Sequence, residues 1–116
     1  MSDELYASAP TATSLGSVYR VCAGRVELDT TMYGCIRVPL DHIIHVAVRP
    51  PLPLLGAHPD DPFTPKLRCL RPDMARFVTH VGLERATGPY RLYRFAPPEP
   101  EAFVAALAEA IRSFQR

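Results

Sequence analysis

The sequence has no tryptophan, and Lys66 is its single lysine beside twelve arginines. Its 13 basic and 12 acidic residues leave a net charge of +1, so no strong overall field is present to attract nucleic acid. No apolar run approaches the roughly 18 residues that a membrane-spanning helix needs. Residues 1–17 carry acidic side chains where a secretory signal peptide carries positive charge. These absences predict a protein without a transmembrane segment and without a nucleic-acid partner.

Cysteine is scarce as well, and the three cysteines are widely spaced at Cys22, Cys35 and Cys69. No Cys-x-x-Cys pair occurs, and an odd number of cysteines argues against a complete disulfide framework. Free cysteines on strands usually behave as small buried apolar residues. The pattern therefore predicts a reducing, cytoplasmic setting, and we expect no cofactor.

The length of 116 residues suits a single domain that can build its own core. Residues 1–14 are rich in serine, alanine, threonine and proline without any period, which predicts a flexible tail on which Leu5 and Tyr6 could still dock. We expect residues 15–116 to form the domain itself.

Several short stretches alternate apolar and polar residues with the period of a half-buried strand. They read "SVYRVCAG", "RVELDTT", "YGCIRVPL", "IIHVAVR" and "KLRCLRP". Pro39 cannot donate to a sheet ladder and should end its strand, and Asp41 favours a single helical turn before the next one. Residues 76–96 predict a β-hairpin in which Phe77, Val81 and Leu83 share a face.

Residues 50–65 hold six prolines and predict a long loop rather than a helix or a central strand. Two stretches in it, residues 50–53 and 59–62, have the loose proline spacing of ligands for aromatic grooves. A plain surface loop is the simpler interpretation of the same residues. The period then changes over residues 99–116, where an amphipathic helix is predicted with a stripe of Phe103, Leu107, Ile111 and Phe114.

Two pieces of the sequence, "IRVPLDHIIHVAV" and "VGLERATGPYRLYRFAPPEPEAFVAAL", resemble the small bacterial members of the pleckstrin-homology-like superfamily. The resemblance covers roughly a third to a half of the chain. It implies a mainly β fold with one C-terminal α-helix, in which two packed antiparallel sheets form a half-open barrel that the helix caps. It also implies an interaction module rather than an enzyme.

The chain departs from the eukaryotic members of that superfamily at two points. Those domains usually carry a tryptophan in the closing helix, and here Phe103 is the candidate for the buried aromatic side chain. The basic loop that binds phosphoinositides has no counterpart either, because only Arg20 and Arg25 lie near Gly24. Binding of an anionic lipid headgroup therefore remains a further alternative, with peripheral membrane contact but no insertion.

Two groups of residues are candidates for an interaction surface. The apolar residues of the proline-rich loop, if exposed, would form a patch suited to a partner or a second subunit; they are Leu52, Leu54, Leu55 and Phe63. Residues 66–94 hold seven basic residues against two acidic ones, and Arg85, Arg91 and Arg94 are the basic candidates. The alternative for these arginines is a solvated outer face of a sheet. The first hypothesis is a module that binds a protein or peptide, through a sheet edge or this loop, or that self-associates.

Two chemical alternatives remain open. Four histidines could bind a metal with Cys35 or Cys69, although their spacing fits no known zinc pattern; they are His42, His45, His58 and His80. A small ligand-binding barrel or an enzyme could instead use Cys69 beside His80, with the thiol activated by the imidazole. Neither pattern identifies a catalytic residue or a metal ligand.

Overall fold

Two β-sheets and one C-terminal helix form the fold in the computed structural model, which describes residues 3–53 and 68–115. The first sheet runs in chain order through β1 (Glu4–Ala7), β2 (Val18–Cys22), β3 (Arg25–Thr30) and β4 (Gly34–Pro39). The second sheet has the order β5 (Ile43–Arg49), β7 (His80–Arg85), β8 (Leu92–Phe95) and β6 (Cys69–Leu70). The helix α1 spans Pro100–Phe114. The predicted fold class, mainly β with a C-terminal helix, is confirmed.

The core lies between the two sheets and α1, as the alternation of the strands requires. Alternate residues of β2, β3, β7 and β8 are almost fully buried and belong to one apolar cluster. They include Tyr19, Val21, Val26, Leu28, Val81, Leu83 and Phe95. The fully buried ring of Phe103 from α1 lies 5.3 Å from that of Phe95, edge to face. Phe103 is therefore the buried aromatic residue expected from the sequence.

The passage from the first sheet to the second has the predicted form. β4 ends at Pro39, a single 3-10 turn spans Leu40–His42, and β5 begins at Ile43. Leu40 points into the core, whereas His42 is half-buried beside β7. This short connection fixes His42 next to the end of the second sheet.

The hairpin expected over residues 76–96 is present but shorter, with β7 and β8 antiparallel. Its predicted first residues instead form a 3-10 turn at Ala75–Phe77, and Phe77 is 65% exposed rather than buried. β6 also departs from the expected all-antiparallel sheets, because it runs parallel to β8, pairing Cys69 with Leu92. The chain re-enters the sheet there from a long connection, which allows either direction.

The predicted flexible tail is wrong for residues 4–7, which form β1 at the edge of the first sheet. The ring of Tyr6 packs edge to face on Phe103, with 5.9 Å between centroids. Asp3 also accepts a hydrogen bond from Arg25 over 2.8 Å. A four-residue strand is too short for its period to be visible in the sequence.

The helix occupies the predicted position with a slightly different face. Phe103 and Leu107 are fully buried, Ile111 is half-buried, and Phe114 is 47% exposed, so the predicted burial of Phe114 is wrong. Ala110 is buried in the apolar cluster instead. Most of the proline-rich loop predicted over residues 50–65 lies outside the described residues.

Candidate functional site: an arginine–tyrosine pocket

A pocket of about 340 Å³ opens between the β3–β4 turn and the β7–β8 loop. Its walls are mainly aromatic and apolar, with Tyr33, Tyr90, Tyr93, Ile36, Leu70 and Pro89 among the lining residues. Arg85 is the one charged residue among the described residues that line it. A concave, largely apolar site of this size with a single charged group is typical of a ligand or peptide pocket. We call it the arginine–tyrosine pocket.

The β3–β4 turn holds Tyr33 at the mouth of this pocket. Thr30 Oγ1 accepts a hydrogen bond from the Tyr33 backbone N–H over 2.9 Å and donates one to the Gly34 carbonyl over 2.8 Å. Gly34 has a φ of +73°, a left-handed conformation that glycine adopts without a steric penalty. The turn is therefore tight, and it leaves the Tyr33 ring 50% exposed.

Arg85 stands at the end of β7, with its guanidinium in the pocket wall. Its Nη2 donates a hydrogen bond to Nδ1 of His42 over 3.0 Å, and its Nη1 lies 3.4 Å from the Tyr93 hydroxyl. Because arginine only donates, Nδ1 of His42 is the acceptor of this hydrogen bond. The Nε of Arg85 is buried and has no hydrogen-bond partner among the described residues. The guanidinium is thus held at both Nη atoms, while its Nε–H has no partner among the described residues.

The β7–β8 loop covers the guanidinium from the other side. Arg85 N–H donates to the Arg91 carbonyl over 2.8 Å, which closes the loop. Gly88 has a φ of +111°, and a Cβ added there would lie 3.5 Å from Arg85 Nε. The backbone at Gly88 therefore approaches the side chain closely.

Two more arginines stand near the pocket and add positive charge at its rim. The guanidinium carbon of Arg68 lies 4.8 Å from the centroid of the Tyr90 ring, in a cation–π contact. Arg91 is exposed on the same loop, with its Nε 3.4 Å from the Arg85 carbonyl. Guanidinium groups can bind a planar anion such as a carboxylate through hydrogen bonds. The adjacent tyrosine rings can pack against an aromatic or proline ring of the same ligand.

The residues predicted to form an interaction surface do not all lie together in the described part of the structure. Arg85 lines the pocket, and the Nε of Arg91 lies 3.4 Å from the Arg85 backbone carbonyl. Leu52 is half-buried and its backbone N–H donates to the Arg76 carbonyl over 2.9 Å. Leu54, Leu55 and Phe63 lie outside the described residues.

Arg94 does not belong to an exposed surface, and both sequence interpretations of it are wrong. It points away from the core, yet it is only 5% exposed. Its Nη1 donates to Nε2 of the fully buried His80 over 3.0 Å. The outer face of the second sheet is therefore covered at this point rather than solvated.

The Cys69–His80 pair is not arranged for nucleophilic catalysis. Both ring nitrogens of His80 are engaged, Nε2 with Arg94 and Nδ1 with the Val78 carbonyl at 2.9 Å. Burial raises the pKa of the Cys69 thiol, and the nearby arginines Arg71 and Arg94 offset this only in part. A protonated thiol is a poor nucleophile.

For the metal alternative, residues 3–53 and 68–115 bring no three side chains of the histidine, cysteine or carboxylate type together. His58 lies outside that part of the chain. A second cavity, of about 400 Å³, is lined by threonine and proline residues near the start of α1. Its charged lining residue is the exposed Glu101, which offers less chemistry than the arginine–tyrosine pocket.

Sequence reasoning missed the tyrosines of the pocket and the contact of Arg68 with Tyr90. Their signal was a tyrosine within two residues of a turn glycine, Tyr33 before Gly34 and Tyr90 after Gly88, in two distant hairpins. Nothing in the sequence shows that the two turns meet.

Comparison with protein-family models, with curated proteins and with solved structures gives no match to this chain. No helix within the described ranges has the length and apolar character needed to cross a membrane.

Proposed function

We propose that the chain is a non-enzymatic interaction module that binds an acidic segment of a protein partner in the arginine–tyrosine pocket. The observation that carries this proposal is the Arg85 guanidinium, which lines an otherwise aromatic and apolar pocket and is held there by His42 and Tyr93. A carboxylate placed there gains charge-assisted hydrogen bonds, which are the strong ones. The tyrosine rings supply flat apolar surface for the residues on either side of it.

A peptide segment fits this site better than a reacting substrate does. The pocket is open to solvent, and its mouth carries the half-exposed Tyr33 and the 62% exposed Met32 beside it. Extended segments that contain proline dock in aromatic grooves of this kind because they lose little conformational entropy on binding. Recognition without chemistry is consistent with the engaged ring of His80 and the raised pKa of Cys69.

Two broader assignments belong to the same proposal. A pleckstrin-homology-like relationship is supported by the two sheets, by the turn after Pro39 and by the helix that follows the final hairpin at Pro100. A cytoplasmic location is supported by the three cysteines, which are all free thiols here.

The test is calorimetric titration with the peptide acetyl-Pro-Glu-Glu-Pro-Tyr-amide and with its glutamine counterpart. We expect the acidic peptide to bind more tightly, and we expect its affinity to fall as salt is added. Replacement Arg85→Gln should weaken it by about 1.5–3 kcal/mol, roughly 10- to 150-fold. The matched control is Arg112→Gln, which removes the same charge from an exposed site on α1 and should leave affinity unchanged.

Equal affinity for both peptides, or equal binding by the wild type and Arg85→Gln, would contradict the proposal. Vesicles that contain phosphatidylserine provide the lipid arm of the experiment. Association with them that competes with the peptide and depends on Arg85 would assign the pocket to a membrane surface instead. Thermal melting of each variant shows whether it is folded.

A further inference from the structure

The occupant that best matches the arginine–tyrosine pocket is present in the sequence of the chain itself. We infer that residues 59–63 of a second copy bind in the pocket, an inference that rests on the proposed function. The chain is then its own partner, and each protomer supplies both a pocket and a ligand.

The chemistry of residues 59–63 complements the pocket at each point. The sequence is Pro-Asp-Asp-Pro-Phe, with two carboxylates between two prolines and an aromatic ring at the end. The carboxylates of Asp60 and Asp61 match the guanidinium groups of Arg85 and Arg68. The proline and phenylalanine rings match the tyrosine walls. Proline on both sides also favours the extended conformation that a groove needs.

The position of Arg68 indicates how each of two copies places its residues 59–63 in the pocket of the other. The described chain resumes at Arg68, which stacks on Tyr90 at the pocket rim. Only residues 64–67 connect the aspartate-containing stretch to this rim, and such a connection spans at most about 17 Å. This chain length limits how far residues 59–63 can extend from the pocket of their own protomer. A two-fold axis near the pocket rim allows two reciprocal contacts at once.

Exposed apolar residues beside the pocket favour a second copy over an isolated protomer. Met32 and Tyr33 are 62% and 50% exposed next to the pocket mouth, in a turn that the protomer leaves uncovered. A dimer that inserts residues 59–63 into both pockets would cover this turn on each side. Two linked contacts also hold more tightly than either one alone, because the second forms intramolecularly.

Sedimentation velocity over a range of concentrations tests the inference on four samples. Wild-type chain should approach twice the monomer mass of 12.9 kDa as its concentration rises. Arg85→Gln, which disables the pocket, and Asp60→Asn/Asp61→Asn, which disables the ligand, should each weaken dimerisation by about tenfold or more. An equimolar mixture of these two variants should form a heterodimer more tightly than either variant pairs with itself, because it restores one intact contact.

The outcomes separate this inference from the proposed function. A wild-type chain that stays monomeric, a dimer that neither variant weakens, or a mixture no tighter than its components would overturn self-recognition. If the acidic peptide still binds in an Arg85-dependent way, the pocket keeps its proposed function with a different partner. If that peptide fails to bind and no dimer forms, both proposals are wrong. Arg112→Gln, which should dimerise like the wild type, controls for loss of charge.

Discussion

The guanidinium of Arg85 donates a hydrogen bond to Nδ1 of His42 over 3.0 Å, between residues 43 positions apart in the sequence. This contact ties the end of β7 to the 3-10 turn that joins the two sheets. The His42 carbonyl strengthens the same link by accepting from the Ala86 N–H over 2.7 Å. The side chain that we assign to anion binding is thus positioned by the connection between the sheets.

Replacing His42 by alanine removes the acceptor that orients Arg85. We expect the free energy of unfolding to fall by about 1–3 kcal/mol, because a half-buried guanidinium loses a partner. Urea unfolding measures this loss. The control is Asp41→Ala on the exposed side of the same turn, which should change stability by no more than about 0.5 kcal/mol. Equal effects at the two positions would show that the Arg85–His42 contact contributes nothing.

Gly88→Ala tests the close approach of the β7–β8 loop to Arg85. At a φ of +111° an alanine is strained, whereas its Cβ would meet Arg85 Nε at an ordinary contact distance of 3.5 Å. Such strain costs on the order of 1–3 kcal/mol, and we expect a loss of that size together with weaker peptide binding. Gly24→Ala is the matched control, since Gly24 lacks a positive φ and a Cβ there meets nothing within 4 Å. A neutral Gly88→Ala would contradict this reading of the loop.

Asp73 links three parts of the fold and should show it in unfolding experiments. Its carboxylate accepts hydrogen bonds from the Tyr19 hydroxyl, from the Ala75 N–H over 2.9 Å and from the Ala96 N–H over 2.8 Å. Asp73→Ala leaves these donors without a partner and should lower the unfolding free energy by about 3 kcal/mol. Tyr19→Phe removes one of the three bonds and should cost about 1 kcal/mol. A larger loss for Tyr19→Phe than for Asp73→Ala would be inconsistent with this geometry.

The pH dependence at Asp73 has a definite sign. Burial raises the pKa of its carboxyl group, and the three hydrogen bonds lower it by less. A raised folded-state pKa means that the stabilising effect of protonation is fully present below the unfolded-state pKa and is lost as the pH rises through the folded-state pKa. The free energy of unfolding of the wild type, relative to that of Asp73→Asn, should therefore increase as the pH falls from 7 to 4. A decrease over this range would mean that the carboxylate, not the carboxylic acid, is the favoured form.

The two phenylalanines of α1 test how the helix is seated. Phe103 is fully buried between Tyr6 and Phe95, and truncation to alanine should cost about 3–5 kcal/mol. Phe114 is 47% exposed, so the same truncation should cost about 1 kcal/mol or less. Thermal or urea unfolding distinguishes the two. Comparable losses would place the last turn of the helix in the core, where the sequence stripe predicted it.

Periodicity made the strands and the helix predictable, because each buries one face over several residues. Val26 and Leu28 alternate with Glu27, and Phe103 recurs with Leu107, so both patterns are visible locally. The limits of these elements were less clear. Phe114 continues the sequence stripe but is 47% exposed, and β1 is too short to show a period at all.

The pocket could not be predicted, because it depends on contacts between distant turns. Tyr33 and Tyr90 belong to separate hairpins in different sheets, and no local pattern shows that they meet. The prediction that Arg94 is exposed was wrong for a related reason. Alternation placed it correctly on the outer face of β8, but it could not show that this face is covered and that His80 lies beside it.

A nuclear magnetic resonance titration of the isotope-labelled chain with acetyl-Pro-Glu-Glu-Pro-Tyr-amide tests the central claim most directly. Three of the five tyrosines line the pocket, and we expect the largest shift changes at Tyr33, Tyr90, Tyr93 and the Arg85 side chain. The same titration of Arg85→Gln should leave these signals almost unmoved. Shift changes confined to β5 or α1, or an unaltered response in Arg85→Gln, would contradict an arginine–tyrosine binding site.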